Sequence, residues 1–284
     1  MQTERLWVLV STVGALLGPS RGSTATAGHT KLIAVADTPA VRVDVVELKT
    51  RLAGGTEDSP PDLSQTDLSG LDLKGMDFKR AKLTGARLVG TKLQGANLFT
   101  CDLTDAVLTG ADLTKANLDG TVLRRANLER ANLQGASLFA TIVESANLSG
   151  ANLSNTRIIG YLRGAKLVGT DLRHANIGAD PGNQSMGVMR ATFVGADLTD
   201  ADLTGANLFK ADFSHATLTR ARFGGADLRN ADLIQADFSG ADLTGARLDQ
   251  ANLDGVIFTN IVGRAQIKGL ERARNADRAI FDAH

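Results

Sequence analysis

Residues Ala201 to Leu208 read Ala-Asp-Leu-Thr-Gly-Ala-Asn-Leu. Leu203 and Leu208 stand five apart, each preceded by Asp or Asn and, two places back, by Ala. A period of five fits neither a 3.6-residue helix nor a two-residue strand. It demands a short extended piece and a corner in every unit. Working outward, a large apolar centre recurs from Leu63 to Ile158 in steps of five, giving 20 units. Leu167, Leu172 and Ile177 add three, and Phe193 to Phe258 add 14. All 37 centres are Leu, Phe, Ile or Val, and Ala stands two residues before 26 of them, with Thr the commonest exception. Gly is common at the last position of the unit, where a corner favours φ > 0.

The run resembles the pentapeptide repeat family, whose motif is Ala-(Asp/Asn)-Leu-x-x, over about 200 of the 284 residues. The resemblance implies an all-β solenoid, a right-handed quadrilateral β-helix with four units per coil. The centre and the residue two before it point inward, and the other three positions face solvent. Residues 20 apart then become vertical neighbours, like cross-strand pairs. Asp62, Lys82 and Asp102 alternate in sign, as do Asp72, Lys92 and Asp112, and Asp202, Arg222 and Asp242; Asp212 over Asp232 is a counterexample. Phe193 falls under Phe213, and Phe238 under Phe258. Nearly ten coils at about 4.8 Å predict a rod of roughly 45–50 Å. The abundant Asp side chains read as solubilising.

Short helical caps are expected at both ends, because an open solenoid end exposes strand edges. Asp44-x-x-Glu47 is a capping box, and Val45, Leu48 and Leu52 follow at helical spacing, predicting a helix from Val45 to Ala53. Gly269 to Asp282 reads as an amphipathic C-terminal helix, with Leu270, Ala273, Ile280 and Phe281 on one face. The expected organisation is a secretory signal over residues 1–27 and an N-terminal segment with helix and linker over 28–60. The repeat follows over 61–260, interrupted near 159–190, and a C-terminal cap over 261–284. The signal rests on Arg5, the uncharged run Leu6 to Leu17 and the small-residue site Ala25-Thr26-Ala27. That run is too short to span a bilayer, so no stable membrane span is expected. The exported chain would be periplasmic or secreted.

Regularity fails in one region. Ile158 to Leu162 is four residues instead of five, around Tyr161, and Gly178 to Ser185 is a turn-forming stretch. Met186-Gly187-Val188 then reads as a degenerate unit. Phe99, Phe139 and Ile159 are apolar at positions that should be solvated and fall on one face, which predicts an exposed stripe. With Tyr161, Asp180 and Asn183 they form the candidate partner surface. The partner itself is an unknown protein, and the chain is expected as a monomer or as a homodimer through a β-helix end.

Composition excludes several functions. Hydrophobic content of 43% and charged content of 22% exclude a disordered chain, and a single Cys excludes a disulfide framework. Lys+Arg and Asp+Glu both total 31, so no nucleic-acid-binding patch is expected. The histidines His29, His174, His215 and His284 lack ligand spacing, so no metal or cofactor is expected. A pairing of His174 with Asp200 one coil away is weighed as a solvated contact. Cys101 takes an inward small-residue position and reads as an inert core thiol. The chain reads as no enzyme but as an exported scaffold or protein-interaction module. The alternative, from the quinolone-resistance branch of the family, is a DNA mimic that binds DNA gyrase. That role implies a strongly acidic rod, whereas residues 61–260 carry 20 Lys/Arg against 22 Asp/Glu.

Overall fold

The computed structural model describes residues 40–56, 58–179 and 189–282. The expected signal and the stretch before Ala40 lie outside these residues, as do Asp180, Asn183 and the degenerate unit at Met186 to Val188. The chain divides into two units, Met1–Ala40 and Val41–His284, and the solenoid lies in the second.

Each five-residue unit makes one parallel bridge to the unit 20 residues on. Four ladders start at Asp62↔Lys82, Asp67↔Arg87, Asp72↔Lys92 and Asp77↔Asn97. The chain is therefore a repeat β solenoid of very short strands. Among the described residues six strands exceed an isolated bridge: β1 (Val41–Arg42), β2 (Thr66–Asp67), β3 (Ser137–Ile142), β4 (Arg157–Tyr161), β5 (Ile257–Phe258) and β6 (Ile280–Phe281). Centres and the residues two before them form one continuous buried core. Its aromatic rings meet in the pairs expected from the sequence: Phe193 stacks on Phe213 at 4.7 Å, and Phe238 packs tilted against Phe258 at 5.3 Å between centroids.

The corner explains the rest of the motif. In a regular unit the carbonyl of the centre accepts from the N–H three residues on, as in Ala86 to Leu83 at 2.9 Å. The residue between is left-handed, as at Gly85 (φ 64°), and the same φ is imposed on Asp105 (φ 58°) and Arg125 (φ 55°). The residue before the centre is not merely solubilising. Asp62 Oδ1 accepts from the Ser64 N–H at 2.9 Å, and Asn117 Oδ1 accepts from Asp119 at 3.0 Å, so Asp or Asn fixes the turn through its own side chain. Thr replaces Ala inside because its hydroxyl finds a carbonyl: Thr91 Oγ1 donates to Leu68 at 3.0 Å and Thr121 Oγ1 to Leu98 at 2.8 Å.

Irregularities stack at one corner. In β3 the register shifts between Phe139 and Thr141, with Ala140 left-handed (φ 54°). One coil on, the missing residue makes the step 19, from Ile142 to Tyr161. One coil further the step is 31, from Tyr161 to Thr192. Gly160 sits where the shortened corner crosses β3, and a Cβ there would lie 2.4 Å from the Thr141 carbonyl oxygen.

The two ends differ. Helix α1 (Val45–Ala53) forms as expected: Asp44 accepts from the Val46 and Glu47 N–H groups, and Leu48 and Leu52 join the core. The expected C-terminal helix does not form. Residues 261–282 make a further coil in six-residue steps: Ile261, Ile267, Ala273 and Ala279 recur inside, and Gly263, Gly269 and Asn275 are left-handed two places later. Short 3-10 turns at Arg264–Gln266, Leu270–Arg272 and Ala276–Arg278 take up the sixth residue. The bridges record the widening, with Asp242↔Val262, Arg247↔Lys268, Asn252↔Arg274 and Ile257↔Ile280 spaced 20, 21, 22 and 23 apart. Positive φ every sixth residue breaks a helix that the apolar spacing alone would allow.

Gly160→Ala is expected to cost more than about 2 kcal/mol, because backbone must move to admit the methyl group. Gly110→Ala, at φ 63° with open space around the position, should cost about 1 kcal/mol from conformation alone. Denaturant melts of the two variants check the order.

Candidate interaction surface

Phe99, Phe139 and Ile159 do share one outward column, and Phe139 lies directly beside Ile159 in the β3–β4 pair. They are not an exposed stripe. Phe139 is only 4% exposed and Ile159 2%, while Phe99 is half-buried. The Arg157 guanidinium lies 4.6 Å over the Phe139 ring, and the Phe139 N–H donates to the Asp119 carboxylate at 2.9 Å. A bulged strand running through a corner thus ties down side chains that a regular unit would leave in water.

Tyr161 belongs to another ladder. It bridges Ile142, which bridges Val122, and all three replace the usual Asp or Asn. Tyr161 and Val122 are half-exposed and Ile142 is buried. The signal in the sequence is an apolar residue immediately before a centre, distinct from the position after the centre that marks Phe99, Phe139 and Ile159. Phe209 is a further apolar residue directly after a centre. It sits half-exposed in the column of Phe139 and Ile159, with Lys210 Nζ 5.3 Å and the Arg229 guanidinium 5.8 Å from its ring centroid.

Tyr161 and the buried pair lie in a belt poor in charge. Between residues 131 and 162 the only ionisable acids and bases are Glu144, Arg157 and Tyr161, and Asn, Ser, Gln and Gly fill most of the other outward positions. Depletion of charge with an aromatic residue present is the compositional mark of an interface centre. The two remaining candidates, Asp180 and Asn183, lie outside the described residues.

The model of the family described as pentapeptide repeats matches residues 62–98, 101–138, 189–225 and 221–260, together more than half of the chain. The chain belongs to the pentapeptide repeat family. Among solved structures it is similar to HetL, a pentapeptide repeat protein involved in heterocyst differentiation regulation from the cyanobacterium Nostoc sp. strain PCC 7120. The two are 30% identical over 84% of this chain and 99% of that one, with a TM-score of 0.66. Rfr23 from the cyanobacterium Cyanothece 51142 is 27% identical over 43% of this chain and 91% of that one, with a TM-score of 0.27. QnrB1, a plasmid-mediated fluoroquinolone resistance protein, is 17% identical over 75% of this chain and 91% of that one, with a TM-score of 0.31. No curated protein matches the chain.

As in the family motif, polar side chains serve the ladders. The Asp212↔Asp232 pair, which breaks the alternation of sign, is spanned by Arg190, at 3.1 Å and 2.5 Å. His174 does not meet Asp200. The 31-residue step sets His174 beside Gly205, and Asp200 is held in a bidentate pair by Arg220 at 2.7 Å. Burial pushes the Cys101 thiol up to about 12, so it holds no thiolate at neutral pH. Among the described residues no group of acids, His and Cys could hold a metal ion.

Phe139→Ser is expected to cost about 3 kcal/mol, because it empties a buried site and buries a hydroxyl; chemical denaturation measures it. A second expectation concerns pH. Hydrogen bonds from Ser64 and Ser69 hold Asp62 and Asp67 below the usual carboxylate range, Arg173 does the same for Asp171, and Arg220 for Asp200. The folded state then binds fewer protons than the unfolded chain. This stability is present above the unfolded carboxylate value, about 3.9, and is lost as pH falls through the lowered folded values. The melting temperature should stay level from neutral pH down to about 5 and fall below about 4.

Proposed function

We propose that the chain is a non-enzymatic scaffold or protein-interaction module, exported to the periplasm or secreted, on a right-handed quadrilateral β-helix. Four ladders per 20 residues support the four-sided form, and the hand follows the rule for parallel crossovers. The observation that carries the functional reading is the charge-poor belt. Everywhere else outward positions are dominated by short polar and paired charged side chains that stabilise the rod and look alike from coil to coil. At the belt the repeat breaks, and Tyr161, with Val122 two coils before it in the same ladder, gives a partner shape to recognise. Phe99, Asp180 and Asn183 remain part of this proposed surface, whereas Phe139 and Ile159 support it from beneath. The near-neutral repeat speaks against a DNA-mimicking rod.

Export rests on the Leu6 to Leu17 run and the Ala25-Thr26-Ala27 site. N-terminal sequencing from the native host should find a chain starting at Gly28, and an intact Met1 on cytoplasmic protein would contradict it. For the surface, affinity capture with wild-type and Val122→Ser, Tyr161→Ser protein is compared. Circular dichroism should show both folded, and the variant should lose the partner bound by the wild type. An unchanged set of bound proteins would remove the belt as the site.

A further inference from the structure

We infer that the groove between α1 and the first coil takes an extended acidic segment of a partner protein, added as a strand. In an inner coil the residue before each centre is paired on both sides. Lys92, for example, donates its N–H to the Leu71 carbonyl at 2.9 Å and accepts from the Leu73 N–H at 2.8 Å. Strand β1 supplies such pairing beside Thr66 and Asp67, and the Val43 N–H donates to the Asp67 carbonyl at 3.3 Å. The chain then leaves the ladder as α1, and no described residue takes its place on the next two sides. The N–H and carbonyl groups of Asp72 and Asp77, and the carbonyls of Lys74 and Lys79, have no partner among the described residues. These are the donors and acceptors of a strand edge, placed on either side of one corner.

The groove encloses about 410 Å³. Its floor is apolar, with Val45 and Met76 half-buried and Leu52 behind them, and its rim carries the exposed Lys49, Lys74 and Lys79. The carboxylates on the same rim are already engaged. Asp72 lies 3.8 Å from both Lys74 and Lys92, and Asp77 accepts from the Asn97 amide at 3.1 Å and the Lys79 N–H at 2.9 Å. Lys49 and Lys79 have no carboxylate partner among the described residues. The open edge therefore calls for extended backbone, the floor for an apolar side chain, and the unpaired ammonium groups for carboxylates. A whole coil of a second copy is not admitted, because α1 stands across this end with Leu48 and Leu52 in the core. The corner on the rim is also less tied to the coil above. Lys79 and Arg80 are both left-handed (φ 48° and 62°), and the Arg80 N–H lacks the bond that Gly75 makes to Gln94 at 2.9 Å.

Fluorescence anisotropy on the whole chain tests this with a labelled synthetic peptide, Ala-Asn-Leu-Glu-Gly-Ala-Asn-Leu-Glu-Gly. Its two units set Asn against Asp72 and Asp77, and Glu against Lys74 and Lys79. The wild type should bind it saturably, and the Lys49→Glu, Lys79→Glu variant at least about tenfold more weakly. A peptide with Lys in place of both Glu should prefer that variant to the wild type, an exchange that a folding defect would not produce. Hydrogen exchange followed by NMR reads the edge itself, since the free Asp72 and Asp77 amides should exchange fast and slow down when peptide is added. The groove is separate from the belt, so the Val122→Ser, Tyr161→Ser variant should bind the peptide as the wild type does. Absence of saturable binding, affinity indifferent to the charge exchange, or binding that leaves the Asp72 and Asp77 amides unprotected would overturn the inference.

Discussion

An inward pair every five residues can be kept only if the chain turns through a left-handed residue at each corner. That constraint governs the molecule, because L-residues resist the conformation and something local must stabilise it. Gly meets it by having no Cβ, but Asp105, Lys115 and Asn155 occupy the same position of the unit with φ near 56–58°. The Asp or Asn side chain before the centre stabilises these turns by accepting from the N–H two residues on, as Asp102 does from Thr104 at 2.9 Å. Once each corner is closed in this way, the buried Ala and Leu stack on their counterparts one coil away, and the ladders follow.

Because register is vertical, a defect is not confined to its own coil. The bulge at Ala140, the shortened corner at Gly160 and the 31-residue step after Tyr161 all fall at the same corner of successive coils. The shortened corner crosses so close to Thr141 that only Gly fits. Chain removed from one coil thus lies beside chain rearranged in the coil before it, and the buried pair Phe139 and Ile159 fills the space between. The rest of the core continues undisturbed: Leu162 is followed by Phe193 in the same ladder, and its N–H reaches Thr192 at 2.8 Å.

The repeat itself was legible because a period of five with two inward positions is impossible for helix or plain strand, and the charge ladders reported the 20-residue coil independently. Helix α1 was legible because Asp44 is a strong local cap. The C-terminal coil was not, because Leu270, Ala273, Ile280 and Phe281 also satisfy helical spacing. The six-residue recurrence of Ile261, Ile267, Ala273 and Ala279 is visible only if the period is allowed to change. Phe139 was misjudged for a different reason. Exposure at a regular outward position assumes a regular corner, and the bulge that covers the ring arises from the coil stacked on it. His174 and Asp200 failed through register, since an insertion changes every later pairing.

What such a rod can do follows from where its regularity ends. Side chains on an unbroken ladder are locked to their neighbours above and below: Arg190 serves two carboxylates, and Asn117 donates to Asn97 at 3.2 Å while accepting from the Asp119 backbone N–H. Groups satisfied within the rod gain little from a partner, and breaking their bonds to bind one would cost what the new contact returns. Binding energy must come from positions that the ladders leave unsatisfied. These are the apolar residues standing where Asp or Asn would close the turn, as at Val122 and Tyr161, and the strand edge of the first coil beside α1. Both arise from departures from the five-residue unit, so in this solenoid the deviations from the motif carry the capacity for recognition and the motif carries the stability.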